Sequence, residues 1–462
     1  MKPLDYPVAS RRALLGGMAA LAASPLVLAP GRAASSNVDV VIVGAGAAGI
    51  GAAIKLKAAG LSYVIVEAAT RVGGRAFTDT TTFRGDDNMP VPFDIGCAWI
   101  HRNQPDNRMG HWARELHFEI QRHDLDVNAL YYGRTPYSPA MVELEHKTEA
   151  DLEDEFKKAA AEGKDAAGST FIKDWSPPAD AAATYMGPMD MAVDFDDMSS
   201  ADYNAMPDYN PNYLVRAGYG SLVKMIALQS GLNVVLGSAV TAVDTSGSGV
   251  KVATARGTIE GKAAIVTVST GVLGSGAIRF TPSLPVETQA AIADVPMGMF
   301  AKIPLEIPGV NHYQSGIKPY DNVVMENPGL DDIYFLAWPW NCDLLVGFVG
   351  GKFGWDLSRK GQAAAIDFAR QRVGDIFGSD TRKRVRRGLL TPWGSNPLTQ
   401  GAYSAAKPGK FASRAVLRRP VQEKLYFAGE AVAPGGMFAT CEGAYNAGWA
   451  AAENIAAKVG AG

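Results

Sequence analysis

The sequence predicts an α/β fold that begins with a Rossmann-like nucleotide-binding unit, and three successive features predict it. Residues 38–43 (VDVVIV) form a nearly continuous β-branched run of the kind found in buried parallel strands. The run ends in a GxGxxG turn at residues 44–49, and a segment with helical periodicity follows. A second apolar strand at residues 63–66 then ends in Glu67. This order is that of a dinucleotide-binding βαβ unit.

The residues of the glycine turn have distinct physical tasks. Gly44 permits the tight turn, Gly46 lets the backbone approach a pyrophosphate, and Gly49 allows close packing of the helix on the strand. The helix then starts at Ala47 and Ala48, where unpaired N–H groups and a partial positive charge face the phosphates. The turn therefore predicts a diphosphate-binding site.

The residues after the second strand favour FAD over NAD. Glu67 is placed to accept hydrogen bonds from the ribose hydroxyls of an adenosine, as in both dinucleotide sites. A second loop follows, with paired glycines that end at Gly74 and with Arg71 and Arg75 on either side. The glycines let this loop approach the ligand, and the guanidinium forks suit a pyrophosphate. An extended FAD needs this additional clamp, whereas a simple nicotinamide dehydrogenase does not.

Length and composition exclude several other classes of protein. The 462 residues are enough for roughly two to three domains. The chain is 47% hydrophobic and 20% charged with a formal net charge of −3, so no nucleic-acid partner is expected. The three cysteines, Cys97, Cys342 and Cys441, are widely spaced. They give neither a disulfide framework nor a metal-binding pattern, and no metal is expected.

The first 34 residues are interpreted as an export signal and not as part of the fold. Arg11 and Arg12 precede an apolar run at residues 13–29, which is followed by small residues. The run is too short and too rich in Gly, Ala and Pro for a good membrane span, so none is expected in the mature chain. The paired arginines resemble a twin-arginine signal, and a general secretory signal is the alternative. Either signal predicts a periplasmic or secreted protein.

Five further motifs, in order, resemble those of the flavin-containing amine oxidases. This family includes monoamine oxidases, polyamine oxidases and lysine-specific histone demethylases. The resemblance extends from about residue 38 to residue 456. The motifs lie at residues 93–101 (FDIGCAWIH), 234–240 (VVLGSAV), 266–282 (VTVSTGVLGSGAIRFTP), 393–403 (WGSNPLTQGAY) and 425–448 (LYFAGEAVAPGGMFATCEGAYNAG).

The resemblance implies a combined α/β and α+β architecture. A discontinuous FAD-binding Rossmann-like domain is expected at residues 36–84, 216–294 and 400–462. An interleaved substrate-binding domain, a mixed sheet flanked by helices, is expected at residues 85–215 and 295–399. The export signal at residues 1–34 precedes both domains.

The resemblance also adds residues to the predicted FAD site. Val240 meets the adenine through its backbone in relatives, and Ala98 and Trp99 lie beside the flavin. Gly429 and Glu430 are expected at the ribityl or phosphate region of the flavin, and Thr440 and Cys441 are expected close to that region. Some relatives tether FAD through a cysteine at the position of Ala402. Alanine at this position predicts FAD that is bound without a covalent link.

The activity that the resemblance implies is oxidation of an amine. Hydride leaves the carbon next to the nitrogen for the flavin, water hydrolyses the imine, and O2 is reduced to H2O2. The expected partners are a small amine and O2, and the protein is expected to be a monomer or a homodimer. An alkylamine has a pKa near ~10, so only about one molecule in 10³ is in the reactive neutral form at pH 7. A desolvated apolar pocket favours that form.

Four residues are candidates for catalysis on the same resemblance. Lys302 lies in an apolar segment similar to the family's strand that carries a lysine, which holds a water against the flavin in relatives. Tyr403 matches one aromatic wall of the substrate cage, whereas Thr440 replaces the tyrosine of monoamine oxidases and favours a pocket like that of polyamine oxidases. His101 matches a histidine of polyamine oxidases, with either a substrate role or a structural one. Trp393 is expected to line the flavin pocket.

Two other functions remain open at this point. An L-amino-acid oxidase of the same superfamily needs a fixed cation for the substrate carboxylate, and Arg102 is the candidate for it. A flavin fold that serves only as a binding protein is the second alternative. Amine oxidation is the favoured interpretation because it explains the complete set of motifs.

Residues 190–208 carry six aspartates. On one interpretation their negative potential attracts a cationic substrate. On the other they lie on a solvated loop, and this second interpretation is favoured.

Overall fold

The computed structural model describes residues 37–85, 88–102, 107–123, 125, 127–309, 317–326 and 333–459. The predicted export signal at residues 1–34 lies outside the described residues. Within these ranges no helix combines the length and the apolar character needed to cross a bilayer.

The elements are numbered in chain order. The strands are β1 (Asn37–Val43), β2 (Tyr63–Val66), β3 (Thr78–Asp79), β4 (Phe93–Asp94), β5 (Trp99–Ile100), β6 (Ile120–Arg122), β7 (Val127–Tyr132), β8 (Thr135–Pro136), β9 (Tyr213–Val215), β10 (Val234–Val235), β11 (Val240–Asp244), β12 (Val250–Thr254), β13 (Gly257–Val266), β14 (Arg279–Thr281), β15 (Phe300–Glu306), β16 (Asn322–Glu326), β17 (Ile333–Ala337), β18 (Leu344–Gly350), β19 (Arg387–Gly388) and β20 (Leu425–Phe427). The α-helices are α1 (Ala47–Ala58), α2 (Arg108–Glu115), α3 (Pro139–Ala161), α4 (Pro177–Thr184), α5 (Ser200–Asn204), α6 (Tyr219–Gln229), α7 (Thr270–Gly274), α8 (Val286–Asp294), α9 (Gly351–Lys360), α10 (Gln362–Phe377), α11 (Ser379–Arg384), α12 (Ser413–Leu417) and α13 (Cys441–Val459).

The first sheet carries the nucleotide-binding unit. Its strand order is β10-β2-β1-β13-β12-β11-β14, and β20 also pairs with β13. Strand β1 runs parallel to both β2 and β13. Its residues from Val40 to Ile42 are completely buried, because helices and loops cover both faces of the sheet. The strands come from three separate parts of the chain, at residues 37–66, 234–281 and 425–427.

Glycines allow the first and last helices to pack against the sheet and against each other. Gly44 has φ 105°, a region that glycine adopts without strain. A Cβ on Gly49 would lie 1.9 Å from the carbonyl oxygen of Gly44, so the helix can start directly after the turn only with glycine there. A Cβ on Gly51 would lie 2.4 Å from the carbonyl oxygen of Tyr445 on α13. Helices α1 and α13 therefore cross backbone to backbone.

The second sheet has the order β19-β15-β18-β17-β16-β7-β8. Its pairs are antiparallel except β16 with β7, which is parallel. Helix α10 covers one face, because Ala365, Ala369 and Val373 pack in the same core as β15 and β18. Sheets of mixed direction flanked by helices confirm the predicted fold class. The boundaries of the two domains stay a prediction.

The aspartate-rich segment differs from the predicted solvated loop. Residues from Tyr185 to Met191 form a π-helix, and α5 follows a short 3₁₀ turn. Asp202 is completely buried and accepts hydrogen bonds from Arg414 at 2.6 and 2.7 Å. Asp190 lines an internal cavity. The prediction holds for Asp196, Asp197 and Asp208, which are exposed. It was wrong for Asp202, because burial there depends on a partner that is distant in sequence, Arg414.

Candidate active site

A cavity of about 670 Å³ is lined by residues of both sheets and of the loops between them. Its volume is in the range of about 300–1,000 Å³ that is typical of ligand and cofactor sites. Of the predicted site residues, Gly49 alone is not in its wall, because this residue packs the helix on the strand. The predicted residues that line the cavity are Gly44, Gly46, Ala47, Ala48, Glu67, Arg71, Gly74, Arg75, Ala98, Trp99, His101, Val240, Lys302, Trp393, Tyr403, Gly429, Glu430, Thr440 and Cys441.

Glu67 lies at one end of the cavity, held by the backbone on both sides. The Ala45 N–H donates to its Oε2 at 2.6 Å and the Ala69 N–H donates to its Oε1 at 2.7 Å. Burial raises the pKa of Glu67, and these hydrogen bonds oppose the rise. The Ser238 N–H donates to the Glu67 carbonyl oxygen at 2.7 Å, which brings the segment of Val240 to the same end. A carboxylate fixed in this way can accept hydrogen bonds from ribose hydroxyls.

The middle of the cavity suits a diphosphate. A Cβ on Gly46 would meet nothing closer than the Gly74 Cα at 4.0 Å, so the space above the turn is open to the cavity. Helix α1 has no acidic residue in its first turn. The Thr440 hydroxyl caps α13 by accepting a hydrogen bond from the Gly443 N–H at 2.9 Å. Both helices present the positive ends of their dipoles to the cavity, which favours an anion there.

A buried ion pair joins the second glycine loop to the C-terminal part of the chain. Arg75 Nη1 donates to Glu430 Oε1 at 2.9 Å and to the Ala402 carbonyl oxygen at 2.8 Å. The Ser404 hydroxyl donates to Glu430 Oε2 at 2.7 Å. Burial acts to raise the pKa of Glu430, but Arg75 and Arg414 hold it below its ordinary value. One nitrogen of Arg75 is therefore used to fix the residues around Ala402 and not to bind a phosphate.

Lys302 is buried in the wall of the cavity, on strand β15, the second strand of its sheet. Its ammonium donates to the carbonyl oxygens of Asp94 at 2.9 Å and of Gly96 at 2.5 Å. Burial lowers the pKa of Lys302 to about 8, although the charges of Asp94 and Cys97 act to raise it. An ammonium has three donors, so one N–H is left for a molecule inside the cavity. The sequence indicated the strand but not these carbonyl partners.

Aromatic rings form the wall next to Lys302. The Phe300 ring lies 6.0 Å from that of Tyr403 and 5.4 Å from that of Phe348, measured between centroids. The Tyr403 hydroxyl donates to the Met189 carbonyl oxygen at 3.1 Å. Phe300 and Lys302 share a face of β15 because they are two residues apart. The sequence did not lead us to Phe300 and Phe348. The alternation of side chains along β15 could have indicated Phe300, because it lies two residues before Lys302.

The two predicted tryptophans and His101 are fixed by hydrogen bonds. Trp393 Nε1 donates to the Ile95 carbonyl oxygen at 3.0 Å, and Trp99 Nε1 donates to His123 at 2.9 Å. His101 Nδ1 lies 2.6 Å from the Asn212 side-chain oxygen, and its ring lies 4.9 Å from the ring of Tyr209. Burial lowers the pKa of His101, so the imidazole is neutral at pH 7.

Two cysteines lie side by side in the cavity wall. Cys97 and Cys441 are hydrogen-bonded to each other, and this contact together with burial raises the pKa of Cys97 well above its ordinary value. Since the thiolate is the reactive form, Cys97 is a weak nucleophile at neutral pH. Cys97 therefore offers no activated sulfur to a cofactor, and Ala402 has no sulfur at all.

The model of the family described as flavin containing amine oxidoreductase matches residues 47–456. The chain belongs to this family. It is 26% identical to polyamine oxidase 4 of Oryza sativa subsp. japonica, over 93% of this chain and 90% of that protein. It is 26% identical to lysine-specific histone demethylase 1 homolog 3 of Arabidopsis thaliana, over 85% of this chain but only 28% of that protein. A structure of putrescine oxidase with bound putrescine has a TM-score of 0.75 and 20% identity, over 91% of this chain and 99% of that one.

The chain is therefore a flavin-dependent amine oxidoreductase with FAD as its cofactor, and the predicted family and cofactor are confirmed. The residues of the cavity fit this group. Glu67 matches the adenosine ribose, and the open turn at Gly46 with two helix N-termini matches the pyrophosphate. The rest of the cavity, beside Lys302 and Trp393, is lined by aromatic rings that suit a flat isoalloxazine.

The open space at Gly46 generates a prediction for the amine oxidoreductase. In Gly46→Val the side chain occupies the position expected for the pyrophosphate, and we expect FAD content after purification to fall at least about tenfold, which corresponds to about 1.4 kcal/mol. The measurement is the ratio of flavin absorbance to protein absorbance.

Gly247→Val is the matched control, because a Cβ on Gly247 meets nothing within 4 Å and the residue lies outside the cavity. This control should keep its FAD. Equal FAD content in both variants would mean that the pyrophosphate does not lie over the turn.

Proposed function

We propose that this enzyme oxidises the carbon–nitrogen bond of a small diamine or polyamine, bound with its reacting nitrogen uncharged. The imine product is hydrolysed by water, and O2 is the electron acceptor and becomes H2O2. FAD, when bound, supplies the two-electron oxidation. The observation that carries the proposal is a buried lysine in the wall of a cavity that is otherwise aromatic at that end.

Lys302 acts in two ways on this proposal. With a pKa of about 8 it is protonated in roughly nine molecules of ten at pH 7. A fixed positive charge disfavours a second ammonium nearby, so the amine enters the reacting position as the free base. The remaining N–H of the Lys302 ammonium is available to hold a water beside the reacting atoms.

The choice of a polyamine-like substrate is supported by Thr440, which stands at the position of the second aromatic wall of monoamine oxidases. Thr440 is small, and its hydroxyl is occupied by capping α13 and by donating to the Met437 carbonyl oxygen at 2.9 Å. A flexible aliphatic amine does not need a second aromatic wall at this position. The relatives that match over most of their length include polyamine oxidases.

An L-amino-acid oxidase is less well supported. It needs a cation for the substrate carboxylate, and Arg102 does not line the cavity. Among the described cavity residues, Arg75 is paired with Glu430, and Arg71 stacks on the ring of Phe77 at 4.2 Å.

A substrate panel tests the proposed function. With putrescine, spermidine or spermine we expect the enzyme to produce H2O2 and to consume O2 in equal amounts. We also expect kcat/KM for the amine to be at least about tenfold above that of any L-amino acid, a difference of about 1.4 kcal/mol. Aromatic amines are the comparison for a monoamine-oxidase-like pocket. Turnover confined to L-amino acids would contradict the proposal.

Replacement of Lys302 by methionine tests the proposed role of its charge. We expect Lys302→Met to slow flavin reduction or reoxidation by about tenfold or more, while FAD stays bound. An effect of this size corresponds to the loss of one charge-assisted hydrogen bond. Rapid-mixing measurements of the two half-reactions, with FAD content determined on the same samples, provide the check. Lys424→Met is the control, since Lys424 is a surface lysine outside the cavity. Wild-type rates in both half-reactions would remove Lys302 from the mechanism.

The proposal includes export by the twin-arginine route, which is supported by Arg11 and Arg12 before the apolar run. This route carries folded protein, so FAD could bind before export. We expect replacement of both arginines by lysine to retain the protein in the cytosol of a bacterium that has this pathway. Cell fractionation measures the distribution, with Arg32→Lys as the control. An unchanged distribution would contradict this route.

A further inference from the structure

Asp190 places a carboxylate in the wall of the cavity, away from the ion pairs of the FAD end. It lies on the π-helix that runs from Tyr185 to Met191, and it lines the same cavity as Lys302. The neighbouring Met189 carbonyl oxygen accepts the hydroxyl of Tyr403. Tyr403 in turn packs on Phe300, which lies on the strand of Lys302. Asp190 is therefore next in the chain to the residue that fixes the hydroxyl of Tyr403, in the aromatic wall beside Lys302.

Among the residues that the structure describes, no cation is close enough to Asp190 to lower its pKa. Its Oδ2 accepts a hydrogen bond from the Tyr203 hydroxyl at 3.4 Å, which is long for such a bond. The groups that face it are Glu153 of α3, Tyr203 of α5, and Tyr209 and Tyr403 of the adjacent loops. All four are acidic groups.

The cations on the neighbouring described elements do not act on the pKa of Asp190. Arg102 acts on the pKa of Tyr209 instead, and Lys352 and Arg414 are paired with other carboxylates. On α9, which packs against the π-helix, Lys352 binds Asp194 and Asp197 at 3.2 and 2.7 Å. Arg414 binds Asp202. The neutral His101 reaches Tyr209 but carries no charge at pH 7. A half-buried carboxylate in the wall of an aromatic cavity is costly without a partner, so a cation inside the cavity would relieve this cost.

We infer that Asp190 binds the second, charged nitrogen of the substrate and so selects diamines and polyamines over monoamines. This inference rests on the proposed function, since it concerns the same cavity. The two ends of the cavity then have opposite tasks. Asp190 holds an ammonium, whereas the positive charge of Lys302 keeps the reacting nitrogen as the free base. Asp190 is a specificity-determining residue in this account and takes no part in the oxidation.

Burial raises the pKa of Asp190 to about 7, with Glu153 adding to the rise and Tyr203 opposing it. The carboxylate binds a cation only when it is ionised, so binding of the second nitrogen weakens as the pH falls through about 7. The kcat/KM for a diamine should therefore fall more steeply on the acid side than the value for a monoamine.

The test compares 1,4-diaminobutane with 1-aminobutane, which differ only in the second nitrogen. In the FAD-loaded wild type, the ratio of the two kcat/KM values should rise with pH between about 6 and 8, because the ionisation of the reacting nitrogen affects both substrates alike. Asp190→Asn should lower kcat/KM for the diamine by about 30-fold or more, change the monoamine value by less than about threefold, and remove the pH dependence of the ratio.

Asp196→Asn is the matched control, because it removes the same charge from an exposed position in the same segment. This variant should leave kcat/KM for both amines close to the wild-type values. The comparison separates local binding at Asp190 from a general attraction of cations by the segment. The pH dependence of the ratio of the two kcat/KM values is measured on the wild type alone. The test therefore remains possible even if Asp190→Asn folds poorly.

Equal effects of Asp190→Asn on the two amines, or a ratio near one at every pH in the wild type, would overturn the inference. A wild type that oxidises 1-aminobutane but gains nothing from the second nitrogen would overturn it while leaving amine oxidation intact. A wild type that oxidises no amine would overturn the proposed function itself.

Discussion

Helices α1 and α13 cross so closely that a Cβ on Gly448 would lie 1.8 Å from the carbonyl oxygen of Ala48. This contact joins the start of the described chain to its end. Because the helices cross near their N-termini, Ala47 and Thr440 both lie in the wall of one cavity. Their dipoles add at that point, which gives a diphosphate a site that needs few charged side chains. A larger side chain at the crossing would separate the two helices and open this site.

The polar network behind the cavity connects the cofactor end with the substrate end. Arg414 is 1% exposed and binds Asp202, the Ser404 hydroxyl and the Ala431 carbonyl oxygen. Ser404 follows Tyr403, whose ring forms part of the aromatic wall. Breaking a buried pair of this kind by removing one partner costs about 3–5 kcal/mol. The position of the aromatic wall therefore depends on ion pairs that do not themselves line it.

The sequence predicted the FAD end in more detail than the substrate end. Residues such as Gly46 and Glu67 lie in short motifs, in which the strand, the turn and the helix each have their own local signal. The close packing expected at Gly49 also has a local signal, since a Cβ there would meet the backbone of the same turn. Asp190 was different, because its six-aspartate segment has the composition of a solvated loop. Only the packing of the π-helix beside Tyr403 places it in the cavity, and no short-range pattern contains that information.

Anaerobic titration of the purified protein with 1,4-diaminobutane tests the central claim most directly, namely that one cavity holds FAD at one end and an amine at the other. The account predicts the absorbance of oxidised flavin, its loss on addition of the amine, and its return when O2 is admitted. Protein that contains no flavin and takes up none would contradict the account. So would bound flavin whose absorbance no amine changes.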